Sequence, residues 1–418
     1  MKMTDKLLFL FYCLLLVAVF AFSPFFSFYL SVTLLLIQSY SFNAEFRSML
    51  VSSAFALLGI IVTAMSNEHF AVRGDDFTTY YNNYLEIYNG HYSDAIFQFS
   101  GGIEVGVPLL NLFIYSIVGE PLPYVFKLFH IVFILSLLVF VCLKIVKYYN
   151  LKARDFFFIL GLSLIFFKLN YVFLIMRQGY ASLFIVLAIF SLGKFKYVFL
   201  AIACTFHLSS IVIYPLSLFV IKNKSSKKLK LFILTSMLVS AFILVNVKIF
   251  TSINFNNVIM TKLTYALSGM LDSGMMSQSI ITNIKGLLFF LVPFTVLFVR
   301  RKLDKSFYPF LAMTIFVMST SYLPSLSFRV TMPIYALLTG FLYFNYLGRT
   351  KLCLGLVFPI LVFSLFNSTY FSKLNYERYT MFDTKPFYFI PSLFEDRAFK
   401  IDRFSLPKVS NKENENKL

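Results

Sequence analysis

Two ionisable side chains stand out in an otherwise apolar stretch, Met176–Ser210. Arg177 opens one apolar segment as Met176-Arg177-Gln178-Gly179-Tyr180. His207 interrupts the next as Phe206-His207-Leu208-Ser209, and between them lies a small basic loop with Lys194 and Lys196. Charge near hydrocarbon is costly, so such groups sit inside a helical bundle or at its edge and often mark function. Arginine stays charged in essentially any environment and offers a planar fork of donors suited to phosphate oxygens. Arg329 is a second such group. Two guanidiniums at one membrane face would hold a pyrophosphate and stabilise it as a leaving group. The plainer reading is that both reach out to lipid headgroups from helix ends. His207 is either a proton acceptor or a core histidine bonded to a carbonyl or to Ser209.

Acids and tyrosines lie upstream. Arg73-Gly74-Asp75-Asp76 is followed by Tyr80, Tyr84 and Tyr88. Asp76 and the three tyrosines recur every four residues, so they share one face of a helix. Asp75 or Asp76 is a natural N-cap for it. That face either presents a carboxylate and tyrosines to a sugar chain or belongs to an interfacial aromatic belt. Glu104 ends Gly101-Gly102-Ile103-Glu104, ahead of an apolar run, Val107–Val118, too short to cross and return. It is a general base held near the membrane face or a solvated loop acid. No His, Cys and carboxylate spacing suggests a metal, and no glycine loop or nucleophile elbow suggests phosphate cradling or acyl transfer. No cofactor is expected.

These groups must be positioned by membrane helices. The 418 residues are 59% hydrophobic and 13% charged, with 55 Phe and 26 Tyr. That excludes an ordinary soluble domain and points to an all-α, polytopic helical membrane protein. Candidate spans are Leu7–Phe22, Ser27–Tyr40, Met49–Ala64, Tyr124–Ile145, Phe156–Phe173, Tyr180–Leu192, Leu229–Val247, Gly286–Val299, Phe307–Tyr322, Val330–Leu347 and Leu352–Phe366, about eleven in all. Ser23-Pro24 separates the first two. The net charge of +18 is no nucleic-acid signal, because Lys and Arg sit in short loops where they set orientation. Cys13, Cys142, Cys204 and Cys353 all lie in apolar runs, as small buried hydrophobes do.

Basic loops at Lys144–Arg154, Lys194–Lys196, Lys222–Lys230, Arg300–Lys305 and Arg349–Lys351 are expected in the cytoplasm, with the amino terminus. Lys196 and Lys222 then conflict, since about 25 residues separate them. At about 1.5 Å per residue, two full crossings do not fit. Two half-length helices in a re-entrant hairpin do, with His207 near the turn; the alternative is one tilted span. Residues 1–366 then form the membrane domain, with loops 66–123 and 251–285 outside together with Arg177 and Arg329. Residues 367–418 form an outer tail.

Taken in order, these motifs resemble the EpsG-like branch of the Wzy polymerases of bacterial O-antigen, capsule and exopolysaccharide. The carriers are Arg177-Gln178-Gly179-Tyr180-Ala181, the short Gly193-Lys194-Phe195-Lys196 loop and Phe206-His207-Leu208-Ser209-Ser210. Arg73-Gly74-Asp75-Asp76 with Tyr80 and Tyr84 is similar to the family's Arg-Gly-x-Asp-x-x-x-Tyr-x-x-x-Tyr pattern. Glu104 matches its acidic position, although Val105 stands where Pro often follows. Arg329 with Tyr335 resembles a late Arg-and-Tyr element, and Lys385-Pro386-Phe387-Tyr388 a weaker Pro-Tyr element.

The resemblance implies glycosyl transfer at the periplasmic face of the bacterial inner membrane. The donor would be a glycan on undecaprenyl pyrophosphate and the acceptor a lipid-linked repeat unit. Arg177, with Arg329, would face the pyrophosphate, and Asp76, Glu104 or His207 would be the base. Tyr80 and Tyr84 would flank sugars, and Arg73, Asp75, Gln178, Tyr335 and Tyr388 would line the substrate. Implied partners are membrane lipids, a chain-length regulator and a flippase, with no nucleic acid. An O-antigen ligase and a flippase or transporter of the lipid-linked unit are the alternatives. A transporter would be expected to show internal repeats, and the sequence has none.

Overall fold

The computed structural model describes residues 3–41, 45–65, 76–167, 175–252, 305–323 and 326–367, with isolated positions within 169–172 and 274–287. Among these there are helices and no strand, as the composition requires. Three helices come first: α1 (Met3–Phe22), α2 (Pro24–Tyr40) and α3 (Phe46–Met65). α1 and α2 part at Ser23, whose hydroxyl caps the Phe26 N–H at 3.2 Å ahead of Pro24. Next come α4 (Asp76–Tyr88), α5 (Tyr92–Ile96) and α6 (Gly106–Val118). α7 (Pro123–Tyr148), α8 (Ala153–Phe166), α9 (Met176–Ile189), α10 (Phe195–Phe206), α11 (Ser210–Lys222) and α12 (Ser226–Ser252) follow. The last are α13 (Tyr308–Thr320), α14 (Leu326–Met332), a π-turn at Pro333–Leu338, α15 (Thr339–Leu347) and α16 (Lys351–Asn367).

Among the described residues, four stretches are long and apolar enough to cross a membrane: Phe46–Met65, Pro123–Tyr148, Ser226–Asn246 and Arg329–Leu347. Other apolar helical stretches, such as Lys6–Phe22, Pro24–Tyr40 and Lys351–Leu365, are shorter, so four of the expected eleven or so are full-length spans among the described residues. The expected span Phe156–Phe173 ends instead at Phe166, where Phe167 turns extended. Phe167, Leu169 and Val172 are apolar because they are buried in the core beside α9, with Val172 lying against Gly179. α9 starts four residues before the expected Tyr180, taking Arg177 and Gln178 into its first turn. The expected span Gly286–Val299, most of loop 251–285 and the tail after Asn367 lie outside the described residues.

The half-length hairpin is present. α10 and α11 have 12 and 13 residues, about 18 and 20 Å of helix, and part at His207–Ser209. His207 is extended (φ −154°, ψ 120°), and the Ser210 hydroxyl donates to the Ala203 and His207 carbonyls at 3.1 and 2.7 Å. α11 returns to the end of the bundle where α10 began. There Lys222 Nζ donates to the Ile189 carbonyl at the end of α9 (2.7 Å) and lies over the Tyr148 ring at the end of α7. Other basic residues at that end cap helices too. Arg349 donates to the Ser39 carbonyl at 2.8 Å and Arg154 to that of Ser41 at 3.0 Å, both at the C-terminus of α2. A cation there meets unpaired carbonyls and the negative end of the helix dipole.

Candidate functional site

Three segments, each from a different part of the chain, converge on one carboxylate. Glu104 follows Ser100, Gly101 and Gly102, all with left-handed backbone (φ 52°, 68° and 86°). Glycine adopts that conformation without strain, so Gly101-Gly102 lets the chain fold sharply back before α6. The turn drives Glu104 inward: its side chain has no exposed surface. Glu104 Oε2 accepts from Arg177 Nη1 at 2.6 Å. Its Oε1 accepts from the Leu208 backbone N–H at 3.0 Å and lies 2.9 Å from His207 Nδ1. The N–H of Leu208 is available because the helix breaks at His207.

Burial by itself would push the Glu104 carboxyl up. The His207 hydrogen bond and charge, the Leu208 N–H and the Ser100 hydroxyl together outweigh it and hold the group down at about 2. An ionised carboxylate only accepts, so His207 must donate through Nδ1, and in the neutral ring Nε2 is then the acceptor. The His207 side chain keeps 19% of its surface exposed and Arg177 keeps 25%. A buried anion thus holds a guanidinium and an imidazole side by side, each partly exposed.

Helices α4 and α6 position Arg177 as well. Its Nε donates to Tyr80 Oη at 2.9 Å, and its guanidinium lies 4.6 Å from the centre of the Phe99 ring. Tyr80 is fully buried on α4. Asn111 of α6 donates to the Tyr80 carbonyl at 3.1 Å and to Asn83 Oδ1 at 2.9 Å. Asn83 in turn donates to the Ala95 carbonyl and to Gln98, both at 2.7 Å. Tyr80→Phe keeps the ring and removes one charge-assisted bond. Any turnover that runs through Arg177 should fall roughly tenfold in Tyr80→Phe with no change in membrane abundance, about 1–2 kcal/mol in positioning.

The other expected residues fall as follows. Gln178 is buried one residue beyond Arg177, and its Oε1 accepts from Ser209 Oγ at 3.1 Å. Tyr84 is buried, donating to the Glu120 carbonyl at 2.8 Å, whereas Tyr88 on the same face is exposed. Tyr335 is buried in the π-turn. Arg329 is exposed on α14, a helix that packs against both α9 and α11. Asp76 opens α4 and is placed by its backbone alone. Arg73, Asp75 and Tyr388 lie outside the described residues.

Some participants carried no sequence signal. Nothing marked Tyr80 as a ligand of Arg177, or Leu208 as a donor. Lys127 and His130, fully buried on α7, did carry one: an ionisable pair inside the apolar run Tyr124–Ile145. His130 Nδ1 lies 2.7 Å from Tyr180 Oη, one turn beyond Arg177 on α9.

No curated protein and no solved structure matches this chain. A family model does, over residues 53–382, which takes in Glu104, Arg177, His207 and Arg329 and stops short of Tyr388. The chain therefore belongs to the EpsG family, a family of proteins related to Wzy-like polysaccharide polymerases.

Proposed function

We propose that this protein is a membrane glycosyltransferase that polymerises a bacterial polysaccharide. It moves a growing glycan from undecaprenyl pyrophosphate to the non-reducing end of a lipid-linked repeat unit, at the periplasmic face of the inner membrane. Family membership supports polysaccharide biosynthesis in a membrane. The observation that carries the finer reading is the cluster in which buried Glu104 holds Arg177 and His207, each with part of its side chain exposed. An open guanidinium suits a phosphate-bearing leaving group and an open imidazole suits a hydroxyl nucleophile. Arg329, on a helix that packs against α9 and α11, is the second cation of this reading.

Deleting the gene in its native host and resolving lipid-linked glycans on a gel tests this. The ladder should collapse to a single repeat unit. Wild type should restore it, and Arg177→Ala at equal membrane abundance should not. A preserved ladder that stays on its lipid carrier would establish a ligase instead. Loss of even the single unit would establish a flippase.

A further inference from the structure

We infer that His207 is the general base of this transfer, acting through Nε2, and that Glu104 is a positioning residue that fixes the imidazole's tautomer and orientation. The inference rests on the polymerase reading above. Geometry separates the two roles. Both Glu104 oxygens are engaged, by Arg177 Nη1 on one side and by His207 Nδ1 and the Leu208 N–H on the other. Its side chain has no exposed surface, so no sugar hydroxyl reaches it. Arg177 is partly exposed but cannot accept a proton. His207 is partly exposed and can accept one. Its ring is anchored at Nδ1 and its backbone is fixed by the helix break, so Nε2 points in a set direction. That the Glu104 carboxyl is held ionised at about 2 accords with a fixed counter-ion and not with a proton acceptor working near neutral pH.

The step balances as follows. Nε2 takes the proton of the acceptor hydroxyl as that oxygen forms a bond to the donor's anomeric carbon. The bond from the anomeric carbon to the pyrophosphate oxygen breaks, and its electron pair leaves with the lipid pyrophosphate. The proton then passes from Nε2 to water. With a neutral imidazole, Arg177 and Glu104 cancel. With an imidazolium the cluster carries one net positive charge, at the moment the leaving group gains negative charge. The charged groups touching His207 and its partner are Glu104 and Arg177. The elements packed around the break also carry Tyr80, Tyr180, Cys204, Tyr214 and Arg329.

The test uses the full chain in nanodiscs and the lipid-linked repeat unit purified from the deletion strain. His207→Gln and Glu104→Gln should each lower kcat by about 10²–10⁴-fold with KM little changed. The double variant should be no worse than the poorer single, because the two act as one unit. Glu104→Asp should recover part of the loss. Added imidazole should restore turnover to His207→Ala, a gain that no folding defect mimics. Retention of kcat in His207→Gln, or losses that multiply in the double variant, would overturn the assignment. A wild-type protein that cannot elongate the purified unit would overturn the polymerase reading itself.

Discussion

Glu104→Ala should lower stability by about 3–5 kcal/mol and abolish glycan elongation. The carboxylate is fully buried and receives the Arg177 guanidinium, the His207 imidazole and the Leu208 N–H. Removing it leaves a guanidinium only one-quarter exposed without its counter-ion, and strips a partner from a backbone N–H at a helix break. It also removes the one side chain that bonds to both Arg177 and His207. The same group makes stability depend on pH. Its carboxyl is lowered from 4.5 to about 2, so the folded state binds this proton less readily than the unfolded chain. The resulting stabilisation, about 3 kcal/mol, is complete above roughly pH 4.5 and is lost as pH falls toward 2. The chain has no Trp, so tryptophan emission cannot report unfolding. Fully buried Cys142 and Cys353 can, through a thiol-reactive dye. The wild-type midpoint should drop between pH 5 and pH 3, and Glu104→Ala should start lower and lose that slope. A variant that keeps the wild-type midpoint and slope would show that the cluster does not hold the site together.

Gly106→Ala should cost about 10²-fold in turnover although it changes no group that does chemistry. A Cβ at 106 would stand 2.8 Å from the Phe206 ring and 2.9 Å from its backbone nitrogen. Phe206 cannot yield. Its ring is tilted against Tyr180 at 5.0 Å and stacked on Phe184 at 5.4 Å, and its backbone leads directly into His207. The start of α6 must therefore move away, carrying Glu104, two residues upstream, off Arg177 and His207. Crowding of this kind also costs about 1–3 kcal/mol in stability. Gly355→Ala is the control, since nothing lies within 4 Å of the added carbon. Turnover and thiol-dye midpoints of the two variants, measured side by side, decide the matter. Equal turnover would mean that the close approach of α6 to the hairpin does not set the site's geometry.

The contacts behind these two predictions differ in how far they could be read from sequence. Local features were legible. Ser23-Pro24 encodes a break by its own chemistry, and α4 begins at the acid that heads its tyrosine face. The broken hairpin followed from a length argument: two basic ends too close together for two crossings, with a polar Phe206-His207-Leu208-Ser209 run between them. Arg177 and His207 were visible as ionisable groups in apolar surroundings. Helix ends were less legible, because an apolar run such as Phe167–Val172 has the same composition whether it spans a membrane or fills a core.

What the sequence by itself determined is therefore the class, the broken hairpin and the short list of groups able to do chemistry. Composition, hydrophobic run length and charge placement are local properties, and each has its cost in the membrane wherever the rest of the chain lies. Only the tertiary structure decided what those groups are to one another. Glu104, read from sequence as a base or a loop acid, is the buried anion joining Arg177 to His207, across 73 and 103 residues of chain. Tyr80, read as a sugar platform or belt residue, is the hydroxyl that receives Arg177 Nε. Such pairings depend on which helices come within 3 Å of each other, and that is fixed by packing summed over the whole bundle, down to the one missing Cβ at Gly106.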